Sequence, residues 1–245
     1  MQLQFVEPRQ IHGSSILLEG SEAQHVVKVL RHRVGDTIVC TDGTGRFLHA
    51  EIDRVEGRKL LHAKIVRTER DPREEGAPWS TVGLALLKGD HFEVALEKMV
   101  ELGVHRVVPL IAAHNVVKWK PDGAGRRIER WQRIADSATK QSGRSWRVEV
   151  TTPLTLPDAV EDHGAGATVI VADEVEEETR VAGLGLEVRA PHLALVGPEG
   201  GFSDDEKNWL REHGARAITL GPFRLRAETA AIVLAAALNE GRGHG

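Results

Sequence analysis

Two short loops of this chain carry residue types whose spacing suits them to hold a small ligand and to act on it. The first, LVGPEGGFSDDE, runs from Leu195 to Glu206, and the second, LGPFRLRAETA, from Leu220 to Ala230. Glycines at 197, 200 and 201 permit positive φ and close backbone approach, so a ligand there would be read largely by main-chain groups. The first loop matches neither G-x-G-x-x-G nor G-x-x-x-x-G-K-[ST]. Its charge is also wrong for phosphate. Glu199 lies in the loop, and Asp204, Asp205 and Glu206 take the first helical turn, where an anion would otherwise dock. A neutral or partly cationic ligand suits the loop better, the plain alternative being a tight strand-to-helix turn with an ordinary cap. In the second loop Arg224, Arg226 and Glu228 stand just before an apolar helix. They either face a ligand, or Arg226 and Glu228 simply pair and cap that helix.

Other chemistries find less support. The twelve histidines form no H-x-x-x-H or H-E-x-x-H, so no metal site is expected. No serine sits in G-x-S-x-G. Cys40 is the single cysteine, which excludes an internal disulfide and a four-cysteine zinc site. Trp131 and Trp209 fall on apolar helix stripes and read as core rather than as base-stacking platforms.

The elements that must position the two loops follow from periodicity. After a polar stretch, TERDPREEGAPW (68–79), come short and nearly continuous apolar runs at 81–87, 106–111, 167–172, 193–197 and 217–221. Such runs fit parallel strands buried on both faces. Helical patterns lie between several of them. Asp90 and Glu93 make a capping-box-like start before Phe92, Ala95, Leu96, Met99 and Val100, and Ser203 with Glu206 repeats the box before Trp209 and Leu210. Ile128, Trp131, Ala135 and Ala138 mark a further stripe. The last helix, 228–238, is apolar almost all round, which calls for burial by the sheet and by a second subunit. Alternating strands and helices imply an α/β domain, and ligands in such sheets bind outside the carboxyl ends of the strands. Before the linker, SILLEG, DTIVCTDG, RFLHAEIDRV and LLHAKIVR read as β-strands, with one helix at EAQHVVKVLR (22–31). That is the pattern of a small β-rich barrel. The expected domains are 1–72 and 73–245.

Apolar residues at 41% and charged residues at 28% are those of a soluble globular protein. No apolar run approaches the length of a membrane span, and MQLQFVEPRQ lacks the build of a signal peptide, so a cytoplasmic protein is expected. The net charge of −4 conceals segregation: nine basic residues against three acids from Lys118 to Arg147, and five acids in DEVEEE (173–178). Both runs are also compatible with plain solvated surface.

Taken together, LVGPEGGFSDDE and LGPFRLRAETAAIVLAAAL (220–238) closely resemble the paired C-terminal motifs of RsmE-type ribosomal RNA uracil-N3 methyltransferases of the SPOUT superfamily. The resemblance extends through LLKGDHFEVALEKMVELGVHRVVPL (86–110), ERWQRIADSATKQSGR (129–144) and HVVKVLRHRVGD (25–36), in order over most of the chain. It implies a PUA-like N-terminal RNA-binding β-barrel and a C-terminal α/β SPOUT domain with a parallel sheet and a deep trefoil knot. It also implies a homodimer that methylates N3 of a uridine in 16S rRNA of the 30S subunit. The implied cofactor is S-adenosylmethionine, with no metal and no membrane partner. Its sulfonium and zwitterionic amino-acid end suit an acidic glycine loop. By resemblance Leu195, Val196, Gly197, Pro198, Glu199, Gly200, Gly201, Leu220, Gly221, Leu225, Thr229 and Ala230 would hold the cofactor. Arg226 would stabilise charge on the uracil carbonyls, and Glu228 would orient that arginine or help remove the imide proton. Lys88 and Glu101 match family positions, as site residues or as salt-bridge support. Arg31, Arg33, Lys118, Arg126, Arg130 and Arg144 would contact RNA phosphates.

The chain departs from the family pattern at Phe223, where an arginine is expected, and at Ala227, where threonine is usual. His114 and Gln4 each replace an arginine. Three other readings remain open from sequence. They are an RNA-binding protein with an inactive knotted domain, a knotted methyltransferase acting on another RNA, and a nicotinamide-dependent oxidoreductase, which would lack its fingerprint loop.

Overall fold

The structure is a computed structural model that describes residues 3–57, 59–75, 79–120, 123–173, 179 and 190–239. Of the acidic run at 173–178 only Asp173 lies among them, and positions 76–78 of the expected linker lie outside. The chain divides into two compact units, Met1–Glu75 with Thr139–Arg147, and Gly76–Ala138 with Val148–Gly245.

The first unit holds β1 (Leu3–Phe5), β2 (Ile11–His12), β3 (Ser15–Glu19), α1 (Gly20–Gln24), β4 (Thr37–Thr41), β5 (Arg46–Glu56) and β6 (Leu60–Arg70). They form a six-stranded sheet in the order β1-β4-β5-β6-β3-β2, antiparallel except where β1 meets β4. Along β5 the inward positions Leu48, Ala50 and Ile52 alternate with outward ones and pack on Ile16, Leu18, Val26, Ile38 and Leu61. The period of two is what a sheet with one buried face requires. Cys40 belongs to this core, and burial pushes its thiol up to about 12. The helix expected over 22–31 is shorter. It passes into a π-helical turn, His25–Val29, and Arg31 then takes a left-handed φ of 59°.

Thr139–Arg147 joins this unit through polar contacts. The Thr41 hydroxyl donates to the Ser145 carbonyl at 2.7 Å, and the Ser145 hydroxyl donates to Asp71 at 2.9 Å. Arg73 binds both carboxylate oxygens of Asp71, at 2.9 and 2.7 Å, and donates to the Gly143 carbonyl. Burial alone would push the Asp71 carboxyl up. The hydrogen bonds from Arg73 and Ser145 outweigh it and hold the group below the usual carboxylate range.

The second unit holds β7 (Ser80–Ala85), α2 (His91–Glu101), β8 (Arg106–Ile111), α3 (Ala124–Gln141, whose last residues count with the first unit), β9 (Glu149–Val150), β10 (Leu154–Thr155), α4 (Leu156–Gly164), β11 (Thr168–Ala172), β12 (His192–Val196), α5 (Asp204–Glu212), β13 (Arg216–Ile218) and α6 (Ala227–Asn239). Every strand pair is parallel, and the order is β10-β8-β7-β12-β11-β13 with β9 on β8. Both faces are covered. Val82, Leu84, Ala194 and Val196 pack with residues of α2, α3 and α6, while Leu193, Leu195, Val169 and Val171 pack with α4 and α5. This explains why β7 and β12 read as continuous apolar runs rather than alternating ones. Ser203 and Glu206 form the expected capping box of α5. Asp90 does not cap α2 with its side chain, and Glu93 pairs with Arg130 at 2.6 Å. Trp131 is buried at 1% exposure, as a core residue should be. On α6 one face is buried, through Ala227, Ala231, Leu234, Ala235 and Leu238, and Ile232 and Val233 stay half-buried. Among the described residues no helix is long and apolar enough to cross a membrane.

The Asp71 network yields a stability prediction. Replacing Asp71 by Asn removes charge-assisted hydrogen bonds and should cost about 2 kcal/mol at neutral pH. The folded pKa is depressed, so the wild type's advantage is present above the unfolded value of 3.8 and fades as pH falls through the folded value. Denaturant midpoints of wild type and Asp71→Asn at neutral and acid pH check this. A gap that does not narrow in acid would contradict it.

Candidate functional site

Register brings the site together. Ala172 of β11 stands opposite Val196 of β12 on one side and Ile218 of β13 on the other. The next residue of each strand, Asp173, Gly197 and Thr219, therefore lies at the carboxyl edge of the sheet. A cavity of about 510 Å³ opens there, within the size range of small-molecule sites. Both loops singled out in the sequence line it.

Glycine is required in each loop for a different reason. A Cβ on Gly197 would lie 3.1 Å from the Phe202 backbone nitrogen and 3.2 Å from the Gly201 carbonyl carbon, so the turn would have to open by a few tenths of an ångström to admit a side chain. Gly221 has open space around it but a φ of +137°, which side-chain-bearing residues rarely adopt. The loops are tied by Arg224, whose guanidinium donates to the Glu199 carbonyl at 3.3 Å.

The N-terminus of α5 disfavours an anion. The Ser203 hydroxyl accepts from the Glu206 N–H at 3.2 Å, and the Glu206 carboxylate accepts from Ser203 at 2.7 Å and from the Ala113 N–H at 2.8 Å. Side chains cap two N–H groups at this end, those of Ser203 and Glu206, and three acids occupy the first turn. The charges facing the cavity include Asp173 and Lys207, paired at 2.8 Å with side chains only 15% and 22% exposed.

Of the expected residues, Val196, Gly197, Pro198, Glu199, Gly201, Leu220, Gly221, Leu225, Arg226 and Ala230 line the cavity. Leu195, Gly200, Thr229 and Glu228 are not in its wall. Leu195 turns to the opposite sheet face, Gly200 packs on His114, and Thr229 is exposed on α6. The Glu228 carboxylate is mostly buried, 3.2 Å from His91 and 4.0 Å from Arg226. Arg226 itself is 79% exposed, so its guanidinium can still reach an incoming group. Lys88 is exposed and Glu101 pairs with Lys98 at 2.9 Å, and neither lines the cavity.

The expected phosphate contacts divide. Arg31, Arg33, Lys118 and Arg126 are exposed, and Arg130 is exposed while paired with Glu93. Arg144 is not on that surface. It is 5% exposed and bound to Glu74 at 2.9 Å inside the first unit. Of the departures, Phe223 is 81% exposed in the cavity wall, and Ala227 is buried there at the start of α6. His114 lies within 3.2 Å of the Gly201 carbonyl, and Gln4 is buried in β1. Sequence reading missed Asp173 and Lys207 as site residues. The signal for Asp173 was present, since it is the first residue past a buried strand.

Comparisons with known proteins agree on a family. A model described as an RNA methyltransferase domain matches residues 74–239, and one described as an RNA methyltransferase PUA domain matches 18–66. A ribosomal RNA small subunit methyltransferase E of Mycobacterium bovis is 33% identical over 225 residues, covering 90% of this chain and 84% of that protein. The protein of the same name from Bacillus subtilis is 30% identical over 250 residues, covering 98% and 96%. A crystal structure of the Neisseria gonorrhoeae protein of that name, bound to S-adenosyl methionine, superposes with a TM-score of 0.83 at 27% identity, covering 97% of this chain and 96% of that one.

The glycine argument is testable on the protein alone. Gly221→Ala should lose about 1–3 kcal/mol through backbone strain. Gly125→Ala, which meets nothing within 4 Å and has no left-handed φ, should be neutral or slightly stabilising. Thermal unfolding of the two variants decides. Equal melting temperatures would mean the loop relaxes to a φ that alanine tolerates.

Proposed function

The chain belongs to the RNA methyltransferase family, among the ribosomal RNA small subunit methyltransferases E, and on that premise we propose that it methylates N3 of a uridine in 16S rRNA with S-adenosylmethionine as donor. The observation that carries this reading is a cavity at the strand ends whose helix N-terminus disfavours phosphate, while an exposed arginine stands in its wall.

The residues present fit this donor. Two glycine loops offer main-chain groups, Val196, Leu220 and Leu225 offer apolar surface, and side chains of both signs, Asp173 and Glu199 with Lys207, Arg224 and Arg226, suit a donor that carries charges of both signs. When bound, S-adenosylmethionine supplies an electrophilic methyl group on a sulfonium. The chain's own residues then have three tasks. The loops would hold the donor in place, which lowers the entropic cost of aligning two reactants. Arg226 neutralises the negative charge that builds on the uracil carbonyls as the N3 proton is lost. Glu228, held by His91, orients Arg226 or helps remove that proton.

In this reading residues 1–72 form a PUA-like RNA-binding β-barrel and 73–245 a SPOUT domain with a deep trefoil knot. Arg31 and Arg33 offer phosphate contacts from the first unit, and Lys118, Arg126 and Arg130 from the second. The half-buried Ile232 and Val233 of α6 suit a homodimer. The protein would act in the cytoplasm on the 30S subunit, with no metal.

Methyl transfer from labelled S-adenosylmethionine to 30S subunits that lack the modification tests this. Wild type should yield N3-methyluridine, identified by mass. Arg226→Ala should be slower by about a hundredfold or more with donor affinity intact. Label on another base or no transfer to subunits or free rRNA would refute the assignment. A parallel loss of donor binding would remove Arg226 from the chemical role.

A further inference from the structure

Phe223 stands in the cavity wall with its ring 81% exposed, three residues before Arg226. The chain holds five phenylalanines, five tryptophans and no tyrosine, and the other nine of these residues are buried or half-buried. Phe202, which also lines the cavity, is 5% exposed and belongs to the core that holds Leu195 and Leu210. A ring left in water forgoes the gain from burial that the other nine obtain. Its place on the loop is constrained on both sides. Pro222 precedes it, Gly221 holds a φ of +137°, and Arg224 donates to the Glu199 carbonyl at 3.3 Å.

N3 lies on the edge that uracil uses for base pairing, so the target must stand unpaired and out of the stack before a methyl group can reach it. Such a base has lost its neighbours on both faces. Arg226 acts on the uracil carbonyls, whose lone pairs lie in the plane of the ring, so it cannot cover a face at the same time. The other charged side chains of the wall, Asp173, Glu199, Lys207 and Arg224, answer charge, and uracil carries none before its proton is lost. What an unstacked, uncharged ring lacks is an aromatic face. Three residues of chain span at most about 11 Å, so Phe223 and Arg226 can serve the same base.

We infer that Phe223 is a substrate-binding residue that stacks on the target uracil and holds it within reach of Arg226. The inference rests on the functional reading above. Stacking accepts any base, so Phe223 supplies hold rather than choice. The plain alternative is that the donor or a second copy of the chain covers the ring.

Methyl transfer at limiting 30S subunits, with Phe223→Ala, Phe223→Leu and Phe223→Trp beside wild type, separates the cases. Phe223→Ala should lower kcat/KM by about tenfold or more, the scale of one lost base–aromatic stack. Phe223→Leu keeps apolar bulk without a π-face and should fall most of that way, whereas Phe223→Trp should recover most of the loss. Calorimetric affinity for S-adenosylhomocysteine and the sedimentation coefficient should be the same in all four proteins. Full activity of Phe223→Ala or Phe223→Leu, or Phe223→Trp as slow as Phe223→Ala, would overturn the stack. So would a change in S-adenosylhomocysteine affinity or in association state, which would put the ring against the donor or a second copy. Wild type that forms no N3-methyluridine in subunits or free rRNA would instead overturn the functional reading, and this inference with it.

Discussion

Leu195 packs where Gly83 leaves space: a Cβ on Gly83 would sit 2.8 Å from the Leu195 side chain and 3.1 Å from Leu110. This fit lets β12 lie between β7 and β11 with all five of its residues buried. Burying a leucine or valine contributes on the order of 2 kcal/mol each, and hydrogen bonds along both edges hold the observed register. The consequence is positional. With β12 fixed, its first unpaired residue must be Gly197, alongside Asp173 and Thr219 at the sheet edge. The cavity is thus set by strand register. The loops determine only what its walls are made of.

Those walls express an electrostatic choice made next to the sheet. A helix N-terminus beside a glycine loop ordinarily invites an anion, because several N–H groups point out of it unpaired. In α5 the Ser203–Glu206 box takes up part of that capacity, and Asp204 and Asp205 add negative potential around the rest. Local capping, worth about 1 kcal/mol to the helix, therefore also filters ligands.

Much of this was legible in the sequence because it depends on short-range rules. Buried parallel strands read as apolar runs, the α5 box reads as serine and glutamate three apart, and the glycines of both loops read as turn residues. What escaped depends on distant pairing. Asp90 and Glu93 look like a capping box until Arg130, far along the chain, takes Glu93. Leu195 sits in the motif but faces away, because side chains alternate along a strand and Val196 and Gly197 hold the cavity side. Asp173 hid inside an acidic run whose remaining members lie outside the described residues, and Lys207 had no partner visible in sequence.

The arginines show how far composition can mislead and what corrects it. Arg226, Arg144, Arg130 and Arg127 are alike in type, and the last three share one basic stretch. Arg144 is buried against Glu74, and Arg127 lies over Trp131 at 4.9 Å, where burial lowers its pKa. Both spend their guanidinium groups on internal partners and have little left for a ligand. Arg130 keeps an exposed group but shares it with Glu93. Among the described residues Arg226 has a single ion-pair partner, a carboxylate at 4.0 Å, which itself leans on His91 at 3.2 Å. Such a contact orients the guanidinium without consuming its five donors. A charge developing in the cavity can then recruit them at little cost, because few existing hydrogen bonds must break first. Position in the chain made these residues candidates, and the partner each one already has decides which can act.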